Sequence, residues 1–425
     1  MGDDAINRAA TITLSVVLAA LASGCASQGL VLPVETSKVG SRFEQPGCRE
    51  IQSDIVDAVA RSEVGDAQAR RIAGLPYMRV DRFLAHLGRK FRKRQSDKGF
   101  GAWVTRLRRL DDQAVRIEIA NLPPSELRQL GVGLFGRGTS RERIAAAYSA
   151  CAKAFVARLL GNPVQRQQLV SAAKVSDDYS DIAQTVGLFP LTSIPVAIGW
   201  ENWKKKHLPT FQRPVSALPV RGRIVEWAQP SSKIVLTSRK VRSIVDRSRD
   251  RALGIPEPKG RDLKQLLEAF APIWQIDVTG DYDQSGHPGW VDNGKSIGLD
   301  RRRPVVFTRI SHAVVDGQIL LQLNYAIWFQ ARPREGPLDL LGGHLDGVIW
   351  RVTLARNGRP LIYDSIHACG CYHLLFPLKP NMSARARRRN PNLKEQPAIL
   401  SGMQVPRAGQ RVLLRLATAT HYLLG

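Results

Sequence analysis

The sequence predicts an α+β protein, with a helical N-terminal domain followed by an antiparallel β-sheet C-terminal domain. Up to about residue 207, apolar residues recur every three or four positions, as in amphipathic helices. After Pro272, apolar and polar residues alternate, and Asp316-Gly317 and Asn357-Gly358 supply the turn pairs of β-hairpins. The 425 residues suffice for two or three domains, and a hydrophobic share of 44% excludes a disordered chain.

The first residues predict export. The largely apolar run 9–21 is too short for a transmembrane helix and fits a signal peptide. The next residues, Leu21-Ala22-Ser23-Gly24-Cys25, resemble the lipobox of bacterial lipoproteins. This resemblance implies a signal peptide over 1–24, acylation of Cys25 with chains such as palmitate, and a tether over 25–45. Ala26 in place of Asp implies an outer-membrane lipoprotein that faces the periplasm, and simple secretion or an uncleaved anchor are the alternatives.

The net charge of +25 favours an anionic partner. Nucleic acid is the usual candidate for such a charge, but export argues against it. We expect no nucleic acid, a membrane contact through the lipid anchor, and anionic polymers of the envelope as candidate partners. The alternative is a set of solvated basic surfaces without a partner.

The helical domain is predicted over residues 46–207, followed by a Pro-rich linker with helices over 208–272. Cys48 and Cys151 both lie on the apolar faces of predicted helices. In an oxidising compartment, this placement favours a Cys48–Cys151 disulfide, and two unpaired core thiols are the alternative. Thr139 and Glu142 predict a capping box at the start of the helix that contains Cys151.

The β domain is predicted over residues 273–425 and contains the densest group of reactive side chains. A two-residue loop at Asn357-Gly358 would place Val348 opposite His367, Asp346 opposite Cys369, and His344 opposite Cys371. Side chains that face each other across strands share one face of the sheet. The predicted hairpin therefore gathers two histidines, two cysteines and one aspartate at one end.

This group is compatible with several chemistries. Cys371, His344 and Asp346 supply a thiol nucleophile, a base and an orienting acid, with Cys369 as the other candidate nucleophile. A zinc ion would use His344, His367, Cys369 and Cys371. A third interpretation is a Cys-Gly-Cys redox disulfide. The fourth is a structural role, with oxidised cysteines and hydrogen-bonded histidines at the rim of the sheet.

A second candidate metal site precedes the predicted hairpins. Residues 281–292 resemble an EF-hand calcium loop, with Asp281, Asp283 and Ser285 at the first ligand positions and Asp292 at the last. Pro288 and the short carboxylate of Asp292 depart from that pattern. A plain acidic connecting loop is the alternative.

The C-terminal runs 323–329, 345–354 and 363–373 resemble a group of secreted proteobacterial proteins to which no activity is assigned. The resemblance therefore implies no reaction. From the residues, we expect an outer-membrane lipoprotein that acts as a thiol- or metal-dependent hydrolase, with its site on the 344–373 hairpin. The competing expectation is a non-catalytic envelope protein that binds anionic polymers and has structural C-terminal cysteines.

Overall fold

The computed structural model describes residues 47–66, 69–92, 98–175, 199–229, 235–292, 296–334, 342–378, 396–401, 403 and 406–425. It confirms the α+β class, with helices in the N-terminal half and mainly antiparallel sheets in the C-terminal half. The signal peptide, Cys25 and the tether up to residue 45 lie outside the described residues, so those expectations stay predictions.

Six helices build the N-terminal half. They are α1 Cys48–Arg61, α2 Arg82–Gly88, α3 Lys98–Asn121, α4 Pro124–Phe135, α5 Arg141–Gly161 and α6 Pro163–Ala172. A short pair of strands, β1 Arg70–Arg71 and β2 Arg79–Val80, lies between α1 and α2. The helices enclose one core in which Trp103, Leu107 and Tyr148 have no exposed surface. Helix α4 was not predicted, although Leu127, Leu130 and Leu134 recur at spacings of three and four and pack on this core.

The predicted Cys48–Cys151 disulfide is confirmed, and it joins α1 to α5 with a Cα–Cα distance of 5.6 Å. The predicted capping box is wrong by one residue. Ser140, rather than Thr139, accepts the backbone N–H of Arg143, and Thr139 donates to a carbonyl of the preceding turn.

Among the described residues, helix α5 is long and apolar enough to cross a membrane. Its residues Ile144, Ala152 and Leu159 are fully buried in the helical core, and Cys151 is bridged to α1. Core helices of soluble proteins share this composition, so the feature is explained by packing.

A buried ion network fastens β2 to α3 and α5. Nε of Arg79 donates to Asp111 at 3.1 Å, Nη2 donates to both oxygens of Glu118 at 2.7 and 2.8 Å, and Tyr148 donates to Asp111 at 2.7 Å. All four side chains are almost completely buried. Such a network is strongly destabilised when one partner is removed, because a charge is then left buried without compensation.

A six-stranded sheet and a three-stranded sheet form the C-terminal half. Their strands are β3 Arg223–Ala228, β4 Ile273–Val278, β7 Phe307–Val315, β8 Gln318–Arg332, β9 Gly343–Leu354, β10 Pro360–His367, β11 Leu374–Pro377, β12 Ala398–Ile399 and β13 Leu413–Leu416. The six-stranded sheet has the order β12-β11-β10-β9-β8-β7, and the three-stranded sheet has the order β13-β4-β3. A separate hairpin pairs β5 His287–Val291 with β6 Ser296–Asp300.

The stretch 208–272 was predicted as a Pro-rich linker with helices; two of its helices lie where they were predicted, and the stretch contributes to this second core. Strand β3 pairs with β4, and helices α8 Ser238–Arg247 and α9 Gly260–Ala269 bury Val241, Ile244 and Leu266 against the sheets. Helix α7, residues 199–207, also packs Trp200 and Trp203 into this core rather than into the helical one. The prolines therefore separate short elements and do not mark a domain linker.

The Asn357-Gly358 hairpin forms with a different turn. The N–H of Ala355 bonds to the carbonyl of Arg359, which gives a three-residue loop that shifts the register by one. A bulge between Pro360 and Ile362 shifts it back. The predicted pairs Val352–Tyr363, Trp350–Ser365 and Val348–His367 are therefore confirmed, whereas the predicted pair Leu354–Leu361 is wrong.

Candidate functional site

Asp346 lies at the centre of the candidate site. It stands on β9 opposite Phe329 of β8, on the face of the six-stranded sheet that covers the core. Its two carboxylate oxygens contact two histidines. Oδ2 is 2.7 Å from Nδ1 of His421, and Oδ1 is 3.4 Å from Nδ1 of His367.

His421 is held between two carboxylates. Its Nε2 is 3.3 Å from Oδ1 of Asp283, and its ring stacks on Phe329 with centroids 3.8 Å apart. The Nε2 contact is an ion pair without the alignment of a hydrogen bond. Burial lowers the pKa of His421, but Asp283 and Asp346 outweigh it and raise that pKa. The ring is fully buried, so its contacts with Asp346 and Asp283 tie the C-terminal segment to the sheet.

The two aspartates stay ionised. Burial opposes the charge of Asp283, but the contact with His421 and hydrogen bonds from Thr279, Thr418 and Ala419 lower its pKa to about 2. For Asp346, burial is likewise outweighed by the two histidines, which hold its pKa well below the usual value. The pair of carboxylates can thus orient two imidazole rings at neutral pH.

His367 is the last residue of β10, and a tight turn follows it. The carbonyl of His367 accepts the N–H of Gly370, and the N–H of His367 donates to the carbonyl of Cys371. Gly370 has a φ of 90°, a conformation that suits glycine. The turn places Cys369 on the surface and Cys371 half-buried beside it.

The Cys369 thiol has a lowered pKa. Hydrogen bonds from the side chain and the backbone of Cys371 lower its pKa to about 6, and the charge of His367 adds to the effect. The charge of Asp346 acts in the opposite direction. A thiol with this pKa is mostly thiolate at pH 7, and the thiolate is the nucleophilic form.

Tyrosines and an arginine border the two histidines. The rings of Tyr372 and His367 have centroids 5.3 Å apart, and the hydroxyl of Tyr422 donates to that of Tyr372 at 2.7 Å. The guanidinium of Arg332 donates to Tyr422 at 2.9 Å. Trp203 of α7 packs against both tyrosines and closes the cluster on the core side.

The structure corrects the predicted composition of the site. Strand β10 ends at His367, so the predicted pairs Asp346–Cys369 and His344–Cys371 do not form. His344 is exposed, lies opposite Ala331 on β8 and stands near the exposed start of β9, two residues before Asp346. His367 takes the place beside Asp346 that we predicted for His344.

The calcium loop is not formed either. Asp281 points outward to Arg301, Asp283 points inward to His421, and Ser285 is buried next to Phe329. The five residues of β5 separate these positions from Asp292, whereas an EF-hand coils around its ion. Within the described part of the chain, no three His, Cys, Asp or Glu side chains form a group that could hold a metal ion.

A second carboxylate–histidine pair lies farther along β10. Nε of Arg351 donates one N–H that is shared between both oxygens of Asp364 at 2.9 and 3.0 Å, and Nη2 of Arg351 donates to Oδ1. Nε2 of His373 lies 3.3 Å from the same Oδ1. Burial opposes ionisation, but His373 and Arg351 lower the pKa of Asp364. These residues are mutually satisfied, which is the pattern of a structural ion cluster.

Sequence reasoning missed His421 and Asp283 as partners. His421 stands in a terminal run without periodicity, where Ala419 and His421 both have positive φ values, 61° and 50°. A signal was present in the combination of a histidine with an otherwise apolar C-terminal run. Its partners, however, follow from tertiary packing alone.

No protein-family model, no curated protein and no solved structure matches this chain.

Proposed function

We propose that the protein is a thiol-dependent hydrolase of the cell envelope, in which Cys369 is the nucleophile, His367 transfers protons and Asp346 orients His367. The observation that carries this proposal is the exposed Cys369 thiol with a pKa lowered to about 6 beside a buried histidine–carboxylate pair. The three groups are those that nucleophilic thiol catalysis requires.

In the proposed reaction, the Cys369 thiolate forms a bond to an acyl carbon. The leaving group departs with a proton from the His367 imidazolium. Water then attacks the thioester, His367 takes its proton, and the Cys369 thiolate is released with the acid product. Oδ1 of Asp346 lies 3.4 Å from Nδ1 of His367, so the carboxylate would hold the imidazole and leave Nε2 for proton transfer.

Thiol–disulfide exchange is a second candidate, and the contact between the two cysteines favours it. Cys371 donates to the Cys369 sulfur, so a mixed disulfide formed on Cys369 has a second thiol beside it. Attack by Cys371 would release the bound thiol and leave a Cys369–Cys371 disulfide, while the substrate disulfide is reduced to two thiols.

The setting of the proposed enzyme is the periplasmic face of the outer membrane, with the lipid on Cys25. The Cys48–Cys151 disulfide supports this setting, because such bonds persist in oxidising compartments. The net charge of +25 supports anionic envelope polymers as partners. Zinc at the hairpin stays a prediction that metal analysis of purified protein tests.

p-Nitrophenyl acetate tests the hydrolase with a generic acyl group. We expect a burst of p-nitrophenol and an acetyl group on Cys369 in the mass spectrum. Cys369→Ser should abolish the burst and His367→Gln should slow it. The matched control His344→Gln should leave it unchanged, because His344 is exposed and outside the site.

A model disulfide separates the two candidates. With one equivalent of 5,5′-dithiobis(2-nitrobenzoate) and protein carrying Cys25→Ala, exchange predicts two equivalents of released thiolate and no bound nitrobenzoate when Cys371 is present. Cys371→Ala should release one equivalent and keep one nitrobenzoate on Cys369. An acyl burst that survives Cys371→Ala at high pH supports hydrolysis, since Cys371 then serves only to acidify Cys369. If the wild type shows neither the acyl burst nor reaction with the model disulfide, thiol chemistry at this site is contradicted.

A further inference from the structure

Arg332 is a buried cation whose charge the described residues do not neutralise. It is 7% exposed and ends β8 beside the candidate site. Its Nη2 donates to the hydroxyl of Tyr422, while its Nε has no hydrogen-bond partner. No carboxylate of the described residues forms an ion pair with it. Among the other buried arginines of the described residues, Arg79 has carboxylate partners, whereas Arg415 donates to the amide oxygen of Gln275.

The tyrosines that surround Arg332 do not supply a negative charge. The guanidinium carbon lies 5.1 Å from the ring centroid of Tyr422 and 5.7 Å from that of Tyr372. Burial raises the pKa of Tyr372, so its hydroxyl stays neutral at physiological pH. Ring faces and hydroxyls attract a cation, but a desolvated guanidinium is far better compensated by an anion.

Side-chain contacts connect Arg332 to the reactive residues. Tyr372 follows Cys371 in the chain, packs on His367, and shares a hydrogen bond with Tyr422. Arg332, Tyr422, Tyr372 and His367 therefore form one row that ends near the Cys369 thiol. Tyr372 is only half-buried, so this row reaches the surface beside the turn.

We propose that Arg332, with Tyr372 and Tyr422, binds a carboxylate of the substrate whose acyl group or disulfide reacts at Cys369. The inference rests on the proposed thiol function and adds the substrate class, which is a carboxylate-bearing molecule. A planar guanidinium fork matches a carboxylate, and the rings of Tyr372 and Tyr422 flank it.

Two matched maleimides test this inference without knowledge of the substrate. In the full chain carrying Cys25→Ala and Cys371→Ser, where the serine hydroxyl still donates a hydrogen bond to the sulfur, the thiol outside the Cys48–Cys151 disulfide is Cys369. A maleimide adds the sulfur to one alkene carbon and the thiol proton to the other. We compare 3-maleimidopropionic and 6-maleimidohexanoic acids with their methyl esters, which have the same reach and no charge.

We expect at least one of the acids to react about tenfold faster than its ester, because a charge-assisted contact of a carboxylate with Arg332 has that magnitude. In Arg332→Gln this preference should disappear while the ester rates stay unchanged. Arg334→Gln removes an exposed arginine two residues away, and it should leave the preference intact. Arg332→Lys keeps the charge without the planar fork and should retain part of the preference.

The outcomes distinguish the thiol function of Cys369 from the carboxylate site at Arg332. Slow ester reaction at Cys369 would contradict the thiol function itself. Fast ester reaction with equal acid and ester rates would overturn the carboxylate site alone. The same result follows if Arg334→Gln removes the preference as fully as Arg332→Gln does, because the preference then comes from the general positive charge of the surface. If Arg332→Gln does not fold, Tyr372→Phe and Arg332→Lys carry the comparison.

Discussion

Replacement of Cys371 by alanine should raise the pKa of Cys369 toward that of an ordinary thiol. The side chain of Cys371 is the largest cause of the lowered pKa, which is about 6. An unperturbed cysteine has a pKa of about 8.5. Cys371→Ser is the matched variant, since its hydroxyl still donates a hydrogen bond, and it should keep the pKa low.

The size of the effect depends on pH. At pH 6, Cys369 is about half thiolate in the wild type and about 0.3% thiolate with a pKa of 8.5. A more acidic thiolate is intrinsically slower, by roughly tenfold to twentyfold for this difference in pKa. The wild type should therefore react about tenfold faster at pH 6, and the variant should react faster above about pH 7.5. Crossing profiles are the signature of a changed thiol pKa.

Alkylation by iodoacetamide between pH 5 and 10 measures both profiles, in protein with Cys25 replaced by alanine and with the reacting cysteine identified by peptide mapping. A wild-type midpoint near 8.5 would refute the reasoning. Parallel profiles in the wild type and Cys371→Ala would refute it as well, because Cys371 would then have no influence on Cys369.

Three further predictions concern stability. Cys151→Ala should lower the free energy of unfolding by about 4 to 5 kcal/mol, because the disulfide with Cys48 closes a loop of about 100 residues; urea unfolding with and without reductant measures this, and equal stabilities would contradict it. His421→Gln should cost about 3 to 5 kcal/mol, because it leaves the carboxylates of Asp283 and Asp346 buried without their shared cation; a loss below about 1 kcal/mol by urea unfolding would show that the ion cluster is not stabilising. Stability should also depend on pH. The lowered pKa values of the two aspartates contribute stability above their unfolded pKa of about 3.9, which is lost as the pH falls toward 2. The raised pKa of His421 contributes stability that is complete below about pH 6.5 and lost as the pH rises through the folded pKa; urea midpoints in the wild type and in His421→Gln at pH 3, 5, 7 and 9 test this, and an alkaline decline as large in the variant as in the wild type would contradict the assignment.

Local patterns were sufficient to predict the disulfide and much of the sheet. The helical faces that carry Cys48 and Cys151 follow from spacing alone, and Asp316-Gly317 gives the β7–β8 hairpin directly. The pairing of Val348 with His367 was also predicted, although the loop and bulge at Asn357-Gly358 compensate each other in a way that the sequence does not reveal.

Tertiary packing decided the rest of the site. The turn at Gly370 ends β10 and takes both cysteines out of the predicted hairpin face, so His344 has no thiol opposite it. Asp283 was assigned to a calcium loop because its spacing is right, but its carboxylate turns inward to His421. Contacts between residues far apart in sequence follow no local period, and these contacts define the histidine–carboxylate cluster.

The most direct test of the central claim is to treat the folded protein, with Cys25 replaced by alanine, with one equivalent of iodoacetamide at pH 6 and to map the modified cysteine. We expect the label on Cys369, an unmodified Cys371, and a loss of the acetyl burst in proportion to labelling. Preferential labelling of Cys371, or a full acetyl burst after Cys369 is modified, would contradict the assignment of Cys369 as the nucleophile.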